Sequence, residues 1–161
     1  MEWDAVGQVV TDLGERLKAR GWFMATAESC TGGLIACELT NVSGSSEWYL
    51  GGVVAYANAV KEGLLGVSGR ELQMHGAVSR EVVLAMARGA AERLGARCAL
   101  AVSGIAGPRG GTPDKPVGTV WIGWSVDGEA SAQRFLFQGD RLCVKRRSAL
   151  EAILGLSERL V

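Results

Sequence analysis

The stretch Trp22-Phe23-Met24-Ala25-Thr26-Ala27-Glu28-Ser29-Cys30-Thr31-Gly32-Gly33-Leu34-Ile35 changes character halfway along. Trp22 to Ala27 is short and apolar, which suits a buried strand. Thr31 to Leu39 has a helical pattern, with Leu34, Ile35 and Leu39 apolar. A buried strand that runs straight into a helix is the repeating unit of layered α/β folds.

Reading outward from this turn, the preceding segment carries Val6, Val9, Val10, Leu13 and Leu17 at helical spacing. That predicts an amphipathic helix over residues 3–20, stopped by Gly21. Downstream, Ser43-Gly44-Ser45-Ser46 is a turn, and Gly52 to Ala57 reads as a second strand. Asn58 to Leu65 reads as a short helix ended by Gly66. Ser79 is a good N-cap, with Glu81 in the first turn, for a helix over Arg80 to Leu94. Cys98 to Ser103 is a third buried strand, followed by a Gly- and Pro-rich loop from Gly104 to Pro116. Val117 to Val126 and Ala130 to Phe137 are two strands joined at Asp127-Gly128, a strong hairpin signal. Asp140 to Leu160 closes the chain as a helix. Helices alternate with strands early and a meander comes late. The expectation is one domain over residues 1–161, a three-layer α/β/α sandwich with a mostly parallel sheet and one antiparallel strand.

The bulk properties narrow the function. The chain has 161 residues and a formal net charge of zero, with 48% hydrophobic and 21% charged residues. That is the profile of a soluble globular protein able to bury a core. It argues against a broad nucleic-acid surface, which needs a cationic excess. No apolar run is long enough to span a bilayer. The start, Met1-Glu2-Trp3-Asp4, is acidic and lacks a secretory pattern, so the cytoplasm is the expected compartment. Cys30, Cys37, Cys98 and Cys143 have no CxxC pairing, and His75 is the only histidine, so no common zinc spacing can be assembled. The cysteines read as reduced thiols, mostly in the core.

Four segments carry candidate chemistry. In the first turn, the leading amides of a helix lack internal partners and form a ready anion or oxyanion site. Ser29 there is either a nucleophile or, like Thr31, a helix cap. Cys30 competes with it, because a thiol at a helix N-terminus can have a lowered pKa. Gly32 and Gly33 allow a ligand close to the backbone. A serine nucleophile needs a base. His75 precedes a cap and suits a turn position better than a base. A desolvated lysine is the other route. Lys61 follows a strand end and ranks first, although a solvated place on a short helix is an equal reading. Lys115 in the long loop ranks second, while Lys18 and Lys145 lie on helices. Ser103-Gly104-Ile105-Ala106-Gly107-Pro108-Arg109-Gly110-Gly111 follows a strand and suits either a phosphate or carboxylate cradle or a surface loop. It lacks the Gly-Lys-Ser/Thr of a P-loop. Arg141, beside a strand end, is a candidate phosphate partner, whereas Lys145, Arg146 and Arg147 equally suit a solvated basic face.

The string Thr26 to Gly33 resembles the signature of the CinA C-terminal domain family, the nicotinamide mononucleotide deamidases. So do Gly51 to Asn58 with Lys61, His75 to Ser79, Ser103 to Pro108, Lys115 to Val120, and Gly139-Asp140-Arg141. The resemblance covers nearly the whole chain in order and is to the stand-alone form. It implies a five-stranded mixed sheet of order 2-1-3-4-5 with strand 4 antiparallel. It also implies hydrolysis of the carboxamide of nicotinamide mononucleotide to nicotinic acid mononucleotide and ammonia, in pyridine nucleotide salvage. A Ser29–Lys61 pair carries the reaction, without metal or cofactor. The amides of Cys30, Thr31, Gly32 and Gly33 are the implied oxyanion donors. Tyr56 and Asn58 would orient the ring or ribose, Ser103, Gly104, Ile105, Ala106 and Gly107 would bind the oxyanion or substrate, and the Gly104–Gly111 loop or Arg141 would receive the phosphate. A small-molecule nucleotide is the expected partner, with no nucleic acid or membrane, and a homo-oligomer is expected, with Trp3, Trp48 and Tyr49 as contact or core residues. The alternative is a non-catalytic nucleotide-binding protein associated with competence or DNA damage. Pyrophosphatase activity belongs to the extra domain of longer relatives, and nothing here supplies its metal ligands. Two positions depart from the family pattern. Ala59 stands where an acidic residue is common, which favours a neutral Lys61 provided Glu62 points away. Arg109 stands where aspartate is usual, reversing a charge in the loop.

Overall fold

A computed structural model describes residues 2–161. Met1, the first residue of the acidic start, lies outside them. Five strands form one sheet of order β2-β1-β3-β4-β5. They are β1 (Met24–Glu28), β2 (Tyr49–Val54), β3 (Cys98–Gly104), β4 (Thr119–Val126) and β5 (Glu129–Leu136). Strands β2 and β3 both pair with β1 in parallel, and β4 runs antiparallel to β3 and β5. This is the expected mixed sheet in the expected order.

Helices cover both faces. On one side α1 (Val6–Arg20), α2 (Leu34–Thr40) and α6 (Arg141–Arg159) pack on the larger core, which includes Leu13, Leu17, Leu100, Ile122, Trp124 and Ile153. On the other, α3 (Asn58–Leu65), α4 (Gly69–His75) and α5 (Arg80–Leu94) cover an alanine-rich layer of Ala25, Ala27, Ala99 and Ala101. Central β1 is buried along its whole length, including the polar Thr26 and Glu28, so it shows no alternation of buried and exposed positions. No helix among the described residues is long and apolar enough to cross a membrane. All four cysteines are free. Cys30 and Cys98 are buried, Cys37 is exposed and Cys143 is partly exposed, so only half of them sit in the core. Trp48 is buried and packs against Gly14.

Several boundaries move for identifiable reasons. β1 starts at Met24 rather than Trp22, because Trp22 belongs to the end of α1. Gly21 takes the left-handed conformation (φ 64°), and Trp22 N–H donates to Leu17 O at 3.0 Å, a Schellman closure. β2 spans Tyr49–Val54 rather than Gly52–Ala57. Ala55 N–H still donates to Glu28 O at 2.7 Å, but the next carbonyls turn away to a side chain described below. α2 starts at Leu34 rather than Thr31, since Gly32 (φ 60°) and Gly33 (φ 100°) occupy left-handed backbone that ends helical continuity. Helix α4 was not expected. Its signal was present as Ser68-Gly69-Arg70-Glu71, in which Ser68 Oγ accepts from Glu71 N–H at 3.4 Å. Its seven residues bury only Leu72, too little for a periodicity. The cap at Ser79 forms as the sequence indicates, accepting from Val82 N–H, and Asp140 at the start of α6 also caps, accepting from Cys143 N–H. Asp127 (φ 50°) and Gly128 (φ 88°) make the hairpin between β4 and β5.

Candidate active site

The C-terminal ends of β1, β2 and β3 open on a cavity of about 270 Å³. It lies where the chain order reverses between β1 and β3, the usual ligand position in open α/β sheets. Ser29 and Cys30 reach it from the end of β1. Tyr56, Asn58 and Lys61 come from the segment after β2, Ser103 to Gly107 with Arg109 and Gly110 from the end of β3 and its loop, and Arg141 from the start of α6. Ala77 and Val78, between α4 and α5, complete the lining. Their side chains carry no chemistry, and in the sequence only the family-like string His75 to Ser79 includes them.

Lys61 is fully packed, with 1% of its surface exposed. Its Nζ lies 3.1 Å from Ser29 Oγ, 2.8 Å from Ala55 O and 3.0 Å from Tyr56 O. These two carbonyls are the ones diverted from β2. Burial lowers the Lys61 pKa from its ordinary 10.5, and the neighbouring Cys30 opposes this weakly. No carboxylate counteracts the shift. Glu62, adjacent in sequence, places its Oε1 against Gly69 instead. Ser29 is held by its own backbone: its N–H donates to Val102 O at 2.9 Å and its carbonyl accepts from Gly32 N–H at 3.1 Å.

Thr31, Gly32 and Gly33 do not line the cavity. The reason lies in Glu28. Its buried carboxylate accepts from Ile35 N–H at 2.9 Å and Ala36 N–H at 3.0 Å. The N-terminus of α2 therefore already has its anion, and the turn 29–33 is drawn tight between the backbone and the side chain of one residue. The amides of Ala106 and Gly107 are among the cavity-lining amides that donate no backbone hydrogen bond among the described residues. Glu28→Ala is expected to lower unfolding stability by about 2–4 kcal/mol, since it strands two helix amides and removes a charge favourable to the helix dipole. Urea denaturation checks this, and a loss under 1 kcal/mol would contradict it.

Cys30 is buried, and burial pushes its thiol pKa up to about 12. That reverses the lowered value considered for a thiol at a helix start, because the amides of α2 face Glu28 rather than Cys30. Ser103 Oγ is buried in the cavity wall with no partner among the described residues, leaving a hydroxyl free for a ligand. Arg141 donates from Nη1 to Gly107 O at 2.8 Å and from Nη2 to the Tyr56 hydroxyl at 3.4 Å. Tyr56 itself stands 63% exposed at the rim. The other candidate bases lie elsewhere. His75 ends α4, with Nε2 3.3 Å from Glu71 and Nδ1 3.8 Å from Glu81. Lys115 Nζ donates to His75 O at 2.6 Å. Lys18 pairs with Glu15 at 2.7 Å. Lys145 lies over Gly32.

Known proteins resemble this chain in sequence and in fold. The model of the CinA C-terminal domain matches residues 7–160. A nicotinamide-nucleotide amidohydrolase PncC of Pseudomonas putida is 49% identical over 95% of this chain and 96% of its own length. A CinA-like protein of Salinibacter ruber is 52% identical over 88% of this chain, which spans only about a third (34%) of that longer protein. A solved CinA superfamily protein from Klebsiella pneumoniae superposes with a TM-score of 0.93 at 38% identity, covering 96% of this chain and 97% of that one. The match runs through every segment that builds the cavity, and this chain belongs to the CinA C-terminal domain family.

Proposed function

We propose that this chain hydrolyses the carboxamide of nicotinamide mononucleotide, giving nicotinic acid mononucleotide and ammonia, with Ser29 as nucleophile and Lys61 as its base. The observation that carries the proposal is the buried Lys61 Nζ, 3.1 Å from Ser29 Oγ and otherwise surrounded by two carbonyl oxygens. A neutral amine gives its two hydrogens to Ala55 O and Tyr56 O, which directs its lone pair at the Ser29 hydroxyl. The lowered Lys61 pKa makes that neutral form accessible. The similarity to the nicotinamide-nucleotide amidohydrolase of Pseudomonas putida supports the choice of reaction and substrate.

The steps follow from the geometry. Lys61 takes the Ser29 proton as Oγ adds to the amide carbon. The cavity-lining amides of Cys30, Ala106 and Gly107 are the candidate donors to the oxyanion in this reading. The ammonium of Lys61 returns the proton to the departing nitrogen, which leaves as ammonia. Water then adds to the seryl ester, with Lys61 accepting its proton. The ester bond breaks, Ser29 Oγ regains the proton, and the carboxylate product is released. Tyr56 and Asn58 at the rim and Ser103 in the wall are the ligand contacts in this reading.

Incubating the purified chain with nicotinamide mononucleotide is expected to release ammonia and the acid mononucleotide in equal amounts. Binding of the mononucleotide without turnover would instead favour the non-catalytic nucleotide-binding alternative.

A further inference from the structure

Besides Lys61, the cavity is lined by two guanidinium cations, Arg109 and Arg141, and by no carboxylate. Since the chain has no net charge overall, this is a local excess that an anionic ligand would neutralise. Lys61 and Arg141 are already engaged. Lys61 faces Ser29 and two carbonyls, and Arg141 is tethered to Gly107 O and Tyr56. Arg109 is exposed, and none of the hydrogen bonds or ion pairs among the described residues uses its guanidinium.

Its backbone, by contrast, is held. Gly107 (φ 83°) and Gly110 (φ 94°) flank it in conformations that favour glycine, and Gly107 and Gly111 pack against Val117. The base of the loop is tied by Ile105 N–H to Thr119 O at 2.9 Å and Gly118 N–H to Ile105 O at 2.8 Å. A fixed backbone thus presents a free guanidinium at the cavity rim. We propose that Arg109 and Arg141 form a subsite for a phosphate monoester dianion, in which Arg141 is the prepositioned half and Arg109 the half that closes on the ligand. A phosphate monoester carries nearly two charges at neutral pH, so one guanidinium leaves it half compensated. Two planar guanidiniums can match both the charge and the spread of its oxygens. The proposal rests on the reading of the cavity as a mononucleotide site, and it makes Arg109 a specificity-determining residue for the phosphorylated substrate.

Calorimetric titration tests it with ribose 5-phosphate, ribose and nicotinate as separate probes. Arg109→Ala is expected to weaken ribose 5-phosphate binding about tenfold or more, with Arg109→Lys in between. Arg146→Ala, which removes a cation lining a different groove, is expected to leave it unchanged. In kinetics, Arg109→Ala is expected to raise KM for nicotinamide mononucleotide about tenfold and not to raise it for the dephosphorylated riboside. Equal ribose 5-phosphate affinity in wild type and Arg109→Ala would overturn the subsite. So would weakened nicotinate binding with ribose 5-phosphate unaffected, which would assign Arg109 to the product carboxylate. Arg109-dependent binding of ribose 5-phosphate by a protein that turns over no amide would keep the subsite and remove the amidohydrolase reading.

Discussion

Ser29→Ala is expected to lower kcat for ammonia release from nicotinamide mononucleotide by at least about 10,000-fold, the scale seen when a serine nucleophile is removed. The substitution takes away one oxygen and little else. The backbone bonds of Ser29 to Val102 and Gly32 do not involve its side chain, and Lys61 keeps both of its carbonyl partners. The variant should therefore fold, and its affinity for the acid mononucleotide should stay within a few-fold of wild type, as chemistry rather than binding is lost. A coupled ammonia assay and product titration measure both quantities. Activity within tenfold of wild type would remove Ser29 as the nucleophile. Cys30 cannot take over readily: with a thiol pKa of about 12 it carries almost no thiolate at neutral pH.

Lys61→Met is expected to cost about 1,000-fold in kcat, in the range for a positioned general base. It replaces the amine with an apolar chain of similar length in a fully buried slot. Lys61→Arg should be as inactive, because a guanidinium does not deprotonate in this range. The pH profile separates a base from a structural lysine. Burial lowers the Lys61 pKa, so the reactive neutral amine forms at a pH below the ordinary 10.5. Activity of the wild type should rise with pH through that lowered value and level off above it, whereas the residual rate of Lys61→Met should lack the limb. Stability follows the same sign. Between the folded and unfolded pKa values the unfolded chain binds the proton that the folded chain has released, so unfolding free energy rises with pH in that window. A wild-type profile without this limb, or one shared by Lys61→Met, would exclude Lys61 as the base.

Much of the architecture was legible in the amino-acid order because it depends on neighbours along the chain. The helical spacing of Val6 to Leu17, the cap at Ser79 and the Asp127-Gly128 hairpin are local signals and each formed where it was read, while the strand read at Trp22 to Ala27 started two residues later. The same local signals marked the strand ends, and with them three of the segments that line the cavity. Local pattern ranked Lys61 first among four lysines but left a solvated place on a short helix as an equal reading, because its contact depends on strand register. Parallel pairing of β1 with β2 sets Glu28 beside Val54, and only then can Lys61 reach Ser29 from 32 positions away. The carbonyls that hold Lys61 come from the same cause, since Ala55 and Tyr56 leave the sheet to meet it. Glu28 read as part of a motif, yet its carboxylate closes the start of α2 and so turns Thr31, Gly32 and Gly33 away from the cavity. Sequence periodicity reports which face of an element is apolar. Which polar groups meet across elements is set by register and packing between residues far apart in the chain. The turn at Ser29 could thus be read from order alone, while the amine beside it, the amides around it and the free guanidinium of Arg109 required the fold.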